Sequence, residues 1–222
     1  MPASHQWMLY LMRAVFAAIL VFEFLNLVGA LHFKLTFSWF GLMITAAVVW
    51  GIVEFLWRKL AALHATAKGW LLFFILAALL IDLLGDVLGW YGAYLWYDQF
   101  AHFMGGAAAA IAAVVVLRAT NILPDVAIQP QLSFGAQLLI TVSLVTLLGV
   151  FYELEEYAET VVLKNNRLGD MLDTPNDLLF NLLGSAAGGA LALKSVHQPL
   201  ARMMRRMITV CRAVLARKKV GS

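Results

Sequence analysis

The sequence predicts an all-α protein, a polytopic bundle of about six transmembrane helices with an amphipathic cytoplasmic helix at its C-terminus. Of the 222 residues, 63% are hydrophobic and only 13% are charged, whereas an ordinary soluble domain carries about 25% charged residues. A soluble fold cannot bury that much apolar surface. The apolar residues also occur in long runs, as membrane-spanning segments require.

Six apolar runs are long enough to cross a bilayer, which takes roughly 20 residues per helix. They cover residues 7–31, 36–57, 69–90, 98–117, 133–152 and 174–193. Helices are expected because every backbone N–H and C=O needs an internal partner in hydrocarbon, and the runs lack the alternation of barrel strands. We therefore predict a membrane domain over residues 1–198 and a tail over 199–222.

The basic residues predict the orientation, since Lys and Arg accumulate in cytoplasmic loops. The connection between the second and third runs holds Arg58, Lys59 and Lys68, and the C-terminal tail is basic throughout. On the opposite side lie only Lys34, Lys164 and Arg167. Both termini are therefore expected in the cytoplasm.

The tail has its arginines on one helical side and apolar residues on the other between residues 200 and 219. This pattern is typical of a helix that lies on an anionic membrane leaflet. Nucleic-acid binding is the competing interpretation of a basic run. Because the tail directly follows a span and has an apolar face, we expect anionic lipids as its partners and no nucleic acid.

Ionisable residues within the spans mark candidate functional sites, because a charge in hydrocarbon is costly. With the predicted orientation, the acidic residues within or next to the spans, apart from Glu54, fall near the outer ends of their helices together with one histidine. They are Glu23, Asp82, Asp86, Asp98, His102, Glu153, Glu155, Glu156, Glu159, Asp170, Asp173 and Asp177. The sequence thus predicts one acidic cluster around a histidine at the outer face of the bilayer.

The motif WYDQFAHFMGG places Asp98 and His102 four residues apart, on one helix face. Such a pair can bind a metal, or the carboxylate can orient the imidazole as a general base. The alternative is that Asp98 only stabilises a helix N-terminus. Gly105 and Gly106 begin a small-residue surface that allows another helix to approach closely.

The motif FYELEEYAE has Glu153 and Glu156 three residues apart, and we predict that this pair faces inward. Several like charges this close repel one another unless a cation or a proton is shared among them. Glu155 and Glu159 are assigned to a solvated helix end.

The motif GDMLDTPNDLLFNLLGSAAGG predicts a helix start, with Thr174 as N-cap and Pro175 at the first helical position. Asp177 and Asn181 are four residues apart, and Gly184 and Gly188 continue that face. Asn181 lies too deep for capping. It is expected to hydrogen-bond to another helix, either as a structural cross-link or as part of a ligand site.

Two further pairs of charged residues receive different interpretations. Asp82 and Asp86 share a face of the third predicted helix, and we expect them to support the same site or to hydrogen-bond to neighbouring helices. Glu54 and Arg58 lie at the opposite end of the bundle and are predicted to form a solvated pair.

Together, DQFAHFMGG, FYELEEY and GDMLDTPNDLLFNLLGSAAG resemble the conserved blocks of the YjdF-like bacterial inner-membrane proteins, an uncharacterised family. More loosely, they are similar to VanZ-like proteins, although Glu156 stands where that family has glutamine. The resemblance implies a multi-pass protein of the bacterial inner membrane. It implies as shared polar positions Asp98, His102, Glu153, Glu156, Asp170, Asp173, Asp177 and Asn181.

A carboxylate-rich site with one histidine suits Mg²⁺, Mn²⁺ or Ca²⁺ better than zinc. Three hypotheses remain open at this point. The first is a divalent-cation-dependent enzyme acting on a lipid or lipid-linked substrate, with Asp98, His102 and Glu153 as catalytic residues. The others are a structural or accessory membrane protein and a cation- or proton-coupled transporter.

Overall fold

A computed structural model describes residues 6–35, 38–59, 65–120, 122–123, 132–164, 168–169 and 171–194. Within these residues the chain forms helices and no strand, which confirms the all-α prediction. The helices are α1 (Gln6–Leu27), α2 (Trp39–Lys59), α3 (Ala65–Val87), the short α4 (Trp90–Ala93), α5 (Tyr97–Ala119), α6 (Phe134–Leu163) and α7 (173–194).

Four helices in the described part of the chain, α1, α2, α5 and α6, are long and apolar enough to cross a membrane. The chain is therefore a polytopic membrane protein. The prediction of six spans also requires α3 and α7 to cross. The tail over 199–222 lies outside the described residues, as does Asp170.

The outward surface of the bundle is apolar, as contact with lipid requires. On α6, the exposed residues include Leu147, Phe151 and Leu154, and Val161 continues this face near the helix end. The inward faces meet in a core between α1, α2 and α3 that contains Met12, Phe16, Leu42, Ala46 and Leu72. Helix α5 packs against both α3 and α6.

Helices α5 and α7 run parallel and touch through glycines. A side chain at Gly184 would overlap the backbone oxygen of Phe103, and one at Gly188 would overlap that of Ala107. Gly106 meets the backbone of Asn181 in the same way. The predicted small-residue contact is thus confirmed at Gly106, and it brings the two helix backbones together as small residues do between membrane helices.

Helix α6 is longer than predicted. The fifth apolar run ends at Tyr152, where the glutamates begin, and the chain was expected to leave the membrane there. The helix instead continues to Leu163 and has 30 residues. At 1.5 Å per residue it is about 45 Å long. In this extension Glu153, Glu156 and Glu159 are spaced three apart and are all buried.

The predicted pair of Glu54 with Arg58 is present, but Arg13 is the nearer partner of Glu54. Glu54 accepts two hydrogen bonds from Arg13 of α1, with Nη2 of Arg13 lying 2.7 Å from its Oε2. Arg58 Nη2 is 3.9 Å from the same oxygen, and its side chain is 77% exposed. This bidentate ion pair joins α1 to α2. The planar guanidinium can donate two parallel hydrogen bonds to the two oxygens of one carboxylate.

We expect Glu54→Gln to lower the free energy of unfolding by about 1 kcal/mol, a value discounted because Arg13 is partly exposed. This corresponds to a decrease of roughly 2–4 °C in melting temperature in detergent, measurable by scanning fluorimetry. Arg58→Gln is the control and should leave the melting temperature unchanged. Equal decreases in the two variants would contradict the assignment of Arg13 as the main partner.

Candidate metal centre

The acidic residues gather at one end of the bundle because of the helix directions. This end holds the C-terminal parts of α1, α3 and α6 and the starts of α2, α5 and α7. Three helix N-termini, those of α2, α5 and α7, therefore bring their positive dipole ends to the acids. The predicted gathering of carboxylates around one histidine is found.

His102 lies at the centre of the first group, between two carboxylates. Its Nε2 is 3.6 Å from Oδ1 of Asp98 and 3.5 Å from Oδ1 of Asp177. On the other side of the ring, Nδ2 of Asn181 is 3.2 Å from Nδ1. The predicted hydrogen bond from Asn181 to another helix is therefore present, and it joins α7 to α5.

The amide of Asn181 determines which imidazole nitrogen is available. When its NH₂ donates to Nδ1, the neutral ring carries its proton on Nε2, facing the carboxylates. When the amide is reversed, Nδ1–H donates to the amide oxygen and the Nε2 lone pair points at Asp98 and Asp177. The second arrangement is the one in which a histidine binds a metal.

A second group on α6 and α7 consists of Glu153, Glu156 and Asp177, all buried. Within this group, and within the group of Asp98, His102 and Asp177, the ligand atoms lie no more than 4.8 Å apart. Asp177 belongs to both. The two groups therefore form one continuous site, which contacts α5, α6 and α7.

Asp177 is only 2% exposed. No described residue donates a hydrogen bond to its buried Oδ1, which lies 3.5 Å from Nε2 of His102. A buried carboxylate oxygen without a hydrogen bond costs free energy unless a proton or cation compensates it. Asp177 is therefore a candidate ligand for a cation shared by the two groups.

The role of Asp98 is not limited to stabilising the N-terminus of α5. It lies in the first turn of α5, where the helix dipole favours a carboxylate, and the N-cap residue Trp96 makes no side-chain hydrogen bond there. The Asp98 side chain interacts with His102 and Asp177. It therefore both stabilises the helix start and lines the cluster.

Three predicted site residues do not join these groups. The carboxylate of Asp173 lies against the backbone at Gly169. The φ of Gly169 is +62°, a backbone conformation that residues other than glycine rarely adopt. Asp82 accepts a 2.7 Å hydrogen bond from the Tyr91 hydroxyl, and Asp86 is buried on the same helix. Asp82 and Asp86 thus form a neighbouring cluster.

The neighbouring cluster also includes Glu23, which the sequence placed at this end without assigning it to the site. Glu23 is 1% exposed and close enough to Asp82 to interact electrostatically across α1 and α3. Burial raises the pKa of the Tyr91 hydroxyl, which therefore stays protonated and can donate to Asp82. A cross-helix contact of this kind leaves no spacing signal in the sequence.

The prediction that Glu159 is solvated is wrong. Glu159 is 7% exposed and accepts a hydrogen bond from the Ser38 hydroxyl at the start of α2. Gly41 makes room for it, since a side chain at that position would overlap the carboxylate. The three-residue spacing from Glu153 and Glu156 was the signal that could have assigned it to the inward face.

The start of α7 also differs slightly from the prediction. The helix begins at residue 173, so Thr174 lies in its first turn instead of at the N-cap. Asp177 lies one turn later and contacts His102 rather than the helix start. Its position is therefore set by the cluster and not by capping.

The family model described as "Predicted membrane protein (DUF2238)" matches residues 62–198 of the chain. This is more than half of the sequence, and it includes α3 and every residue of the two groups of candidate ligands. The chain belongs to this family. The match confirms the YjdF-like resemblance and extends it towards the N-terminus, whereas it adds nothing to the looser similarity to VanZ-like proteins.

For this DUF2238 protein, no curated protein and no solved structure gives a significant match. The family description states a membrane location and no activity. Interpretation of the site therefore depends on its geometry.

Proposed function

We propose that this protein is a divalent-cation-dependent enzyme that acts on a lipid or a lipid-linked substrate at the membrane surface. The observation that carries the proposal is Asp177, a buried residue that is common to both groups of candidate ligands and whose Oδ1 has no hydrogen-bond partner among the described residues. Asp98, His102, Glu153 and Glu156 complete the set. Oxygen ligands with a single imidazole favour Mg²⁺, Mn²⁺ or Ca²⁺.

The residues divide the chemical tasks between them. A cation held by Asp177 and the glutamates would polarise a phosphoryl or ester oxygen of the substrate. His102 can take up or release a proton at Nε2, while Asn181 holds its ring through Nδ1. Asp98 is the most exposed of the first group, with a side chain 29% exposed. It therefore lies where substrate would enter.

We further propose six spans with both termini in the cytoplasm, which puts the site at the outer leaflet of a bacterial inner membrane. The distribution of Lys and Arg between the connections supports this orientation. It also places the basic tail on the cytoplasmic leaflet, where anionic lipids would bind it.

The proposal predicts stoichiometric cation binding that depends on both groups. Isothermal titration of purified protein in detergent with Mg²⁺, Mn²⁺ and Ca²⁺ should give a saturable site. His102→Ala and Glu153→Ala should each abolish it. Glu155→Gln is the matched control, because Glu155 lies on the same helix outside both groups. Unchanged stoichiometry in His102→Ala and Glu153→Ala would refute the proposal.

A structural role is the second candidate, and the Asn181–His102 hydrogen bond favours it because that bond joins α5 to α7. Under this alternative, the same alanine variants would lose thermal stability in detergent, and wild-type protein would bind no cation. Measuring the melting temperature alongside the titration distinguishes the two roles.

A further inference from the structure

Beside the metal centre, a groove of about 380 Å³ lies between the first turns of α5 and α7. Small-molecule pockets fall in a range of roughly 300–1,000 Å³. Four of its six lining residues are aromatic and two are amides. They are Trp96, Gln99, Phe100, Phe103, Asn176 and Phe180.

The groove adjoins the candidate ligands along both helices. Gln99 and Phe103 directly follow Asp98 and His102, and Asn176 directly precedes Asp177. Consecutive helical residues point about 100° apart, so the groove occupies the helix faces next to the metal centre. A molecule in the groove would therefore reach the cluster with one end.

The groove has a polar end and an apolar end. On each helix an amide comes first and a phenylalanine follows four residues later: Gln99 then Phe103, and Asn176 then Phe180. Because α5 and α7 run parallel, both amides lie at the helix starts and both rings lie about 6 Å further along the helices. Trp96, 60% exposed beside the amides, is the type of residue found at membrane interfaces.

This gradient matches a lipid in its ordinary orientation, with the headgroup at the interface and the chain towards the bilayer centre. We propose that the groove binds an acyl chain of a membrane phospholipid and positions its phosphate beside Asp98 and His102. The inference deepens the proposed function, on which it rests, by naming the substrate class. An anionic phosphate fits an acidic cluster only when a bound cation lies between them.

The test uses the full chain in nanodiscs of phosphatidylethanolamine and phosphatidylglycerol, with a phosphatidylglycerol probe that carries a diazirine in its acyl chain. Photolabelling mapped by mass spectrometry should be enriched at Phe103 and Phe180 relative to the lipid-facing surface around Phe151. Filling the groove with Phe103→Trp and Phe180→Trp together should lower labelling there about tenfold, since overpacking opposes binding. Phe151→Trp is the control and should not change it.

Cation titration of the same samples separates the two proposals. If the variant with both tryptophans has wild-type cation affinity and reduced labelling, lipid binding in the groove is supported. Equal labelling of the groove and the Phe151 surface, with cation binding intact, contradicts lipid binding in the groove and does not contradict the enzyme proposal. Enriched labelling in a protein that binds no cation supports lipid binding and overturns the cation-dependent function.

Discussion

We expect Asp177→Asn to weaken divalent-cation binding by more than about 100-fold, the largest loss for any single conservative change in the cluster. Asp177 is the one residue common to both groups of candidate ligands, so its charge acts on each of them. Changes in residues that only orient a ligand cost about 10–100-fold in metal affinity. Replacing a shared ligand should cost more.

Asn181→Ala provides the comparison for this prediction, because Asn181 contacts the ring of His102 and not a carboxylate group. The affinity of the Asn181→Ala variant for divalent cations should decrease by about 10–100-fold. Asp173→Asn, one turn before Asp177 and outside both groups, should change the affinity little. Isothermal titration of the three variants gives the ranking, and wild-type affinity in Asp177→Asn would contradict a shared site.

Gly184→Ala is expected to destabilise the protein by about 3 kcal/mol, because its new methyl group would overlap the backbone oxygen of Phe103. The contact is with backbone and not with the end of a flexible side chain, so a whole helix must move. The measurement is the melting temperature and the yield of monodisperse protein in detergent.

Gly105→Ala is the matched control, since a side chain at that position meets nothing within 4 Å. Alanine is a better helix former than glycine, so this variant should be as stable as wild type or more stable by up to about 1 kcal/mol. The prediction for Gly184 fails if both variants melt at the same temperature.

The pattern of the sequence was sufficient to predict the helices and the end of the bundle at which the acidic residues gather. Apolar runs set the positions of the helices, and their alternating directions bring Asp98, Glu153 and Asp177 to one end of the bundle. The four-residue spacing of Asp177 and Asn181 also predicted a polar stripe that faces another helix. These features depend on local periodicity, which a single sequence contains.

Contacts between distant residues could not be predicted in the same way. Arg13 pairs with Glu54 although Arg58, four residues from Glu54, was the obvious local partner. Ser38 binds Glu159 across 121 residues of chain. Which helix faces meet depends on tertiary packing, and the sequence contains no spacing that specifies it.

The length of α6 couples the protein to the thickness of its membrane. A helix of about 45 Å exceeds a hydrocarbon layer of roughly 30 Å, yet its outward side remains apolar as far as Leu163. Such a mismatch is relieved by tilting the helix or thickening the bilayer. A tilt of α6 relative to α5 and α7 would move Glu153 and Glu156 relative to that parallel pair. If the helix adapts to a thinner bilayer in this way, the separation between the carboxylates of α6 and Asp177 changes with bilayer thickness.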